Sequence, residues 1–565
     1  MKNIYIFIFL NLVSINQISS YKCGFYDELK NEPPLIDDQK DFIRTRRTAE
    51  SVFTKIKIKV DFSSLKKLGI VTDQTLKTCK KLVDEAITDY GKILKFKRET
   101  GRFSNVTLIK INCGINDIDS NWKNFFTNYD IVIFPYFYDG LSSSVLASAC
   151  RCLSNGKRTY AGYLKINPKI SFSKKNIETY FKQIVIHEFT HVLIFSPSIF
   201  DAFGMLKRSG NDYTNSSIIS PLALKEARKH FNCPSLSSIP LEDQGGQGTA
   251  GGHWESRYML GDFMIGSEYV DNVISDITLA LFNDTGMYQA MPYSGGLFKY
   301  GKNKGCNFFN KKCIEVVGGK RVSSFPDEFC TDYDKEICST SRISKGKCIV
   351  VNFVNVITPS KYRYYETSKK GGRFRYVNYC PISILTEADT EKDYLPTSCN
   401  LGTATNYGEV MGDNSFCFMS SLLPSNNAGT ASIKPTCYKV ECDSKNKNII
   451  VYVNNNKVKC PTNGGSQSLD GFKGTIECPK YTDICNTANP NKLCNTLFNC
   501  LSSKSYALKS KIDESSYTYL DDKGNNGNKN ESENKPGKGN TNLLKKNSSN
   551  NLKYNFYYII SLLIF

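Results

Sequence analysis

Histidine is nearly absent from this chain, with four in 565 residues, so each one can be weighed singly. Long apolar runs are missing as well. The terminal ones, IYIFIFLNLV near the start and FYYIISLLIF at the end, hold ten residues each, about half of the ~20 that a membrane-spanning helix requires. No internal repeat is visible, which excludes a solenoid or propeller array. The net charge is +19, yet the lysines are scattered rather than clustered beside aromatics. That pattern describes a solvated surface and argues against a nucleic-acid partner, while a preference for anionic substrates or surfaces stays open. Cysteine, by contrast, is plentiful. Twenty-one are too many for a reduced cytosolic protein and read as a disulfide framework made in an oxidising compartment.

The ends agree with export. Residues 1–20 read as a signal peptide, with an apolar run after Met1-Lys2-Asn3 and small residues at Ser19 and Ser20. Residues 21–47 form a short polar segment closing on Arg44-Thr45-Arg46-Arg47, as a removable pro-region does. Residues 501–554 become a low-complexity stalk rich in Asn, Lys, Gly and Ser, which cannot bury a core. With the hydrophobic tail 555–565 it reads as a lipid (GPI) attachment signal. The expected location is extracellular, at the cell surface or secreted. Asn-X-Ser/Thr sequons stand at Asn105, Asn215 and Asn283.

Between the ends, 48–200 is mixed α and β and poor in cysteine, 201–300 follows as an insertion, and 301–500 is loop-rich. Fifteen of the twenty-one cysteines lie from Cys306 to Cys500. KIKIKVDF from Lys55 alternates as one half-buried strand, and a helix is expected over about 78–94. DIVIFPYF (130–137) and AGYLKINP (161–168) read as buried strands. Ile177, Phe181, Ile184, Val185, Val192 and Phe195 recur at helical spacing and predict a helix from about 176 to 195.

That helix carries His187-Glu188-x-x-His191. Residues four apart share a helix face, so two imidazoles can meet one metal ion, and Glu188, about 100° round the helix, reaches a water beside it. Zinc acidifies such a water and the carboxylate takes its proton. On its own the pattern equally suits a core helix, and a third ligand is required. No H-x-x-G-x-x-H follows, since 194 is Ile and 197 is Pro. His230, in the polar run EARKHFNC, reads as a surface histidine. His253 sits among glycines in GTAGGHWESRYMLGDFMIGS, with Met264 eleven residues further on, and is the candidate third ligand.

At these residues the chain resembles the leishmanolysin-like metallopeptidases, zinc proteases of the metzincin group. HEFTHVLIFS is similar to the family's active helix, and LEDQGGQGTAGGHWESRYMLGDFMIGS to its third-ligand and Met-turn segment. SDITLALFNDTGMYQ, YGKNKGCNFF, FPDEFC, YGEVMGDNSFCF, CYKVEC and GTIECPKYTDIC resemble later stretches, so the likeness runs from about residue 55 to 500. It implies an α+β fold with a metzincin-type catalytic domain, a twisted mixed sheet, an active-site helix, and a cysteine-rich C-terminal region. It further implies one zinc per chain on His187, His191 and His253, with Glu188 as general base and Met264 beneath the metal. Protein and peptide substrates, a monomer, and membrane association through the lipid anchor complete that expectation. The alternative is a catalytically silent, zinc-containing surface adhesin of the same fold, which has no chemical need for Glu188.

The family also keeps its precursor latent through a pro-region cysteine on the metal, and Cys23 in YKCGFYDEL is similar in position. Its removal leaves twenty cysteines, a number able to pair fully. Three departures stand out. Tyr21 and Phe25 flank Cys23 where the family has histidines. Ile194 replaces a glycine where the chain leaves the helix, so the exit is different or one turn longer. Met287 replaces an aromatic residue, a packing change.

Overall fold

The computed structural model describes residues 53–97 and 128–485, apart from 142–144, 155, 173–176, 209–214, 245–248, 267–271, 291–297, 334, 386–397, 400–401 and 413. The leader, the pro-region with Cys23, the stalk, the hydrophobic tail and Asn105 lie outside the described residues.

KIKIKVDF forms two strands rather than one. β1 (Phe53–Lys55) pairs antiparallel with β3 (Leu94–Lys97), whereas β2 (Ile58–Val60) runs parallel to β4 (Ile131–Phe137). The chain changes sheets at Ile56-Lys57, where the Lys57 N–H donates to the Asp130 carboxylate at 2.7 Å. Between β2 and β3 lies α1 (Asp73–Gly91), which starts earlier than expected because Thr72 caps it, accepting the Thr75 N–H at 3.1 Å. Its Cys79, Leu82, Val83, Ala86, Ile87 and Tyr90 recur at helical spacing and are all buried. The helix ends before Leu94, whose place in β3 beside β10 (Tyr288–Ala290) overrides helix continuation.

The larger sheet has the order β2-β4-β6-β5, with β6 (Thr159–Ile166) parallel to β4 and β5 (Ala147–Ser154) antiparallel to β6. Against it packs α2 (Ile177–Leu193), the expected histidine-bearing helix. Phe181, Val185, Ile186, Phe189, Val192 and Leu193 are buried, so α2 is apolar on more than one face and lies between the sheet and α1. Gly162 sets how closely they meet: a β-carbon there would stand 2.5 Å from Val192 Cγ1. The Thr159 hydroxyl donates to the Val192 carbonyl at 2.7 Å, satisfying an acceptor that the helix end leaves open. Tyr90 of α1 and Thr190 of α2 are joined through their hydroxyls at 2.7 Å.

Ile194 departs from a glycine exit without any left-handed residue. The N–H groups of Ile194 and Phe195 both donate to the Thr190 carbonyl at 2.9 Å, and Ser196, at φ −143° and ψ 137°, turns the chain into α3 (Pro197–Ala202). Ile194 and Phe195 are thereby buried. Three short strands follow, β7 (Leu206–Lys207), β8 (Ser217–Ile218) and β9 (Ile239–Pro240), with α4 (Pro221–Phe231) before β9. Then come α5 (Ser256–Met259) and α6 (Asp276–Asp284), the latter capped by Ser275.

One hydrophobic core runs from Ile56 to Ile382, and a second gathers residues between Ile343 and Cys485 around a six-stranded sheet. That sheet has the order Asn456–Cys460, Asn448–Val453, Lys434–Asp443, Ser415–Ser420, Ile476–Cys478, Gly465–Gln467. Among described residues seven disulfides are defined: Cys233–Cys306, Cys313–Cys380, Cys330–Cys348, Cys338–Cys417, Cys399–Cys437, Cys442–Cys485 and Cys460–Cys478. Closing loops of 18 to 79 residues, they constrain the unfolded chain by about 3–4.5 kcal/mol apiece in the chain-entropy account. Full pairing of the cysteines other than Cys23 does not occur, because Cys79 is a buried thiol packed as a small apolar side chain in α1. The protein is thus mixed α and β, with few helices, many small sheets and a disulfide-stapled C-terminal part.

Candidate metal centre

His187 and His191 project from the last turns of α2, and His253 comes from the glycine-rich segment before α5. Their Nε2 atoms converge: 3.1 Å between His187 and His191, 3.2 Å between His191 and His253, and 3.3 Å between His187 and His253. Each Nδ1 faces a backbone carbonyl, and a carbonyl can only accept. His187 donates to Phe263 at 2.5 Å, His191 to Phe195 at 2.7 Å and His253 to Thr249 at 3.0 Å. The proton on each neutral ring is therefore fixed at Nδ1 and the lone pair at Nε2.

Burial keeps the rings neutral. It pushes His187 down to about 4 and His253 to about 3, and His191 well below the ordinary imidazole value, with the neighbouring rings adding to the effect on the last two. Three acceptors thus meet with no donor among them, an arrangement that repels unless a cation stands between the lone pairs. Four ligands placed tetrahedrally at the usual zinc–nitrogen distance lie about 3.3 Å apart. The observed separations fit that geometry, so these residues suit a zinc ion.

The third histidine is held in place from several sides. The Glu242 N–H donates to the His253 carbonyl at 2.9 Å, and the Trp254 N–H to the Met264 carbonyl at 2.9 Å. Gly266 leaves room for the ring, since a β-carbon there would stand 2.4 Å from Thr249 Cγ2 and 3.3 Å from the His253 ring. Met264 is fully buried on the turn that also presents the Phe263 carbonyl to His187. Nearby, Glu242, Asp243 and Glu255 bring three carboxyls together. Glu242 accepts from Gln244 and Ser256, and Glu255 from Arg257 and Asn378, so these groups brace the chain around His253.

Glu188 is buried beside the triad, and its Oε2 accepts the Ala149 N–H of β5 at 2.9 Å. Strand β5 thus fixes the carboxylate that the helix alone would leave to rotate. His230 is half-buried rather than the surface histidine the sequence suggested. It flanks Phe231 on α4, its Nε2 meets the Tyr300 carbonyl at 2.8 Å, and its ring stacks on Phe298 at 4.6 Å. The polar letters of EARKH hid an apolar face made by Ala223, Leu224, Ala227 and Phe231. Met287 packs against the main core. The side-chain amide of Asn283 is engaged with the backbone of Ala290, whereas Asn215 is exposed.

Sequence reasoning missed the three carbonyl partners of the histidines, the Ala149 amide on Glu188, and the buried Asp262. Backbone groups carry no residue signature.

With this geometry in hand, the relatives are informative. The family model described as leishmanolysin matches residues 65–492. A leishmanolysin homolog of Crithidia fasciculata is 31% identical over 323 residues, covering 53% of this chain and 47% of that protein. Leishmanolysin of Leishmania major is 25% identical over 430 residues, covering 72% and 68%, and a leishmanolysin-like peptidase of Caenorhabditis briggsae is 28% identical over 315 residues, covering 48% and 46%. The matched stretch thus spans about half of the Crithidia and Caenorhabditis proteins and about two thirds of the Leishmania one. A match over most of the chain, with the two histidine-bearing segments inside it, places this protein in the leishmanolysin peptidase family.

Proposed function

We propose that this protein is a zinc metalloendopeptidase of metzincin type, exported and held at the cell surface by a lipid anchor. The observation that carries the reading is the convergence of three Nε2 lone pairs whose Nδ1 protons are all committed to backbone carbonyls. His187, His191 and His253 would hold one zinc ion, with Met264 in the apolar floor. When bound, zinc supplies Lewis acidity, which acidifies water and polarises a peptide carbonyl.

The chain's own residues supply the rest. Glu188 accepts the proton of the attacking water and returns it to the leaving amine, while its bond to the Ala149 N–H holds the second carboxylate oxygen still. Burial of His191 and His253, with partial burial of His187, lowers the proton affinity of the rings, so protons compete less for Nε2. The substrates are proteins and peptides. In the precursor, Cys23 would offer a thiolate to the metal these histidines would hold, which would block attack. That part rests on the family likeness.

The test is zinc content together with cleavage of a denatured protein by the processed form, with and without a chelator. One zinc per chain and chelator-sensitive cleavage are expected. Glu188→Gln should keep the zinc while turnover falls by a factor on the order of hundreds or more, since the amide cannot take a proton. Stoichiometric zinc without any cleavage would leave a surface adhesin of this fold, and near-normal turnover in the Gln variant would remove Glu188 from the chemistry.

A further inference from the structure

Asp262 is fully buried. Its carboxylate is met by donors on both oxygens. Oδ1 accepts the Met264 N–H at 2.8 Å, and Oδ2 accepts the Ser275 N–H at 3.1 Å and the Thr278 hydroxyl at 2.8 Å. The Thr278 oxygen in turn accepts the indole N–H of Trp254 at 2.8 Å. One side chain therefore ties together the turn 262–265, the start of α6 and the tryptophan that follows His253.

Each tie leads to a zinc-ligand candidate. The turn presents the Phe263 carbonyl that fixes the His187 proton at Nδ1. It presents the Met264 carbonyl to the Trp254 N–H, one residue from His253. The Trp254 indole is anchored through Thr278 to the same carboxylate. Two ligands from segments 66 residues apart are thus referred to one buried anion.

Resting on the zinc reading above, we propose that Asp262 is a positioning residue that sets both the tautomer of His187 and the placement of His253. Ionised, it offers only acceptors, matching the donors around it. An amide of the same shape must turn an NH2 toward Met264 N–H or toward Ser275 N–H and Thr278, so one end of the network loses its acceptor. Loss of such an outer partner typically weakens metal binding by about 10–100-fold.

The experiment compares the full chain with Asp262→Asn and Thr278→Val, using chelator competition for zinc and nitrogen-15 histidine spectra of the metal-free protein. In the natural chain one ion binds and His187 is protonated at Nδ1. Asp262→Asn should weaken zinc binding about 10–100-fold and mix the His187 tautomers. Thr278→Val, which cuts only the branch to Trp254, should weaken zinc by less and leave the His187 tautomer alone. A merely structural role would lower thermal stability and leave the tautomer unmoved. A folded Asp262→Asn chain with natural zinc affinity and an unmixed His187 signal overturns the proposal. If that variant does not fold, natural zinc affinity in Thr278→Val overturns it. Failure of the natural chain to bind zinc would instead overturn the proposed function.

Discussion

Gly266 separates damage to the metal centre from damage to the fold. It lies against Thr249, whose carbonyl holds His253 Nδ1, and against the His253 ring itself. In Gly266→Ala the new methyl would stand 2.4 Å from Thr249 Cγ2, 3.3 Å from His253 Cγ and 3.4 Å from His253 Nδ1. Both neighbours are buried, so relief requires turning the Thr249 side chain, moving the His253 ring, or both. Overpacking of this kind costs about 1–3 kcal/mol of stability. Displacing the ring's partner should weaken zinc by about 10–100-fold. The control is Gly204→Ala, where φ is +66° and nothing lies within 4 Å of the new β-carbon. A left-handed alanine costs about 1–2 kcal/mol, a similar stability loss without any contact to the triad. Chelator competition and urea unfolding of both variants decide the matter. Zinc affinity should fall in Gly266→Ala alone, and equal affinities in the two variants would refute the argument that Gly266 makes room for a ligand.

Three further outcomes follow from the same packing. His253→Ala should abolish stoichiometric zinc measured by mass spectrometry, whereas His230→Gln should retain it, because His230 is bonded to Tyr300. Burial holds His230 down to about 3, so between its ordinary value and that point the unfolded chain binds a proton that the folded chain refuses. Stability therefore falls as pH falls through that window, and His230→Gln should flatten the decline between pH 6 and 4 by about 1.4 kcal/mol per pH unit in urea titrations. Cys23→Ser should make the unprocessed form cleave without proteolysis; a silent variant beside an active processed sample would assign latency to steric blockage.

What was legible in the sequence was the chemistry that only particular residues can perform. Two histidines four apart with a glutamate between them, and a histidine among glycines, stood out because the chain has only four histidines and each could be weighed singly. The strand over 131–137 was legible from a continuous apolar run, and the histidine-bearing helix from apolar residues at helical spacing. The break at Ile56-Lys57 was not, since alternation runs straight across the change of sheet and the deciding contact comes from Asp130, 73 positions away. The exit at Ile194 depended on a shared carbonyl, Thr190, that any residue would offer. His230 looked exposed because its neighbours in sequence are charged, while its neighbours in space are Phe298 and Tyr300. Counting cysteines gave no warning of Cys79, since parity does not say which thiols face one another.

The central claim is that three imidazoles hold a zinc ion through Nε2. Anomalous diffraction at the zinc edge from crystals of the processed protein tests it directly. The account predicts one peak bonded to His187, His191 and His253 at about 2.0–2.1 Å, each through the nitrogen not committed to a carbonyl. No peak among these rings, or an ion held by other side chains, would contradict it.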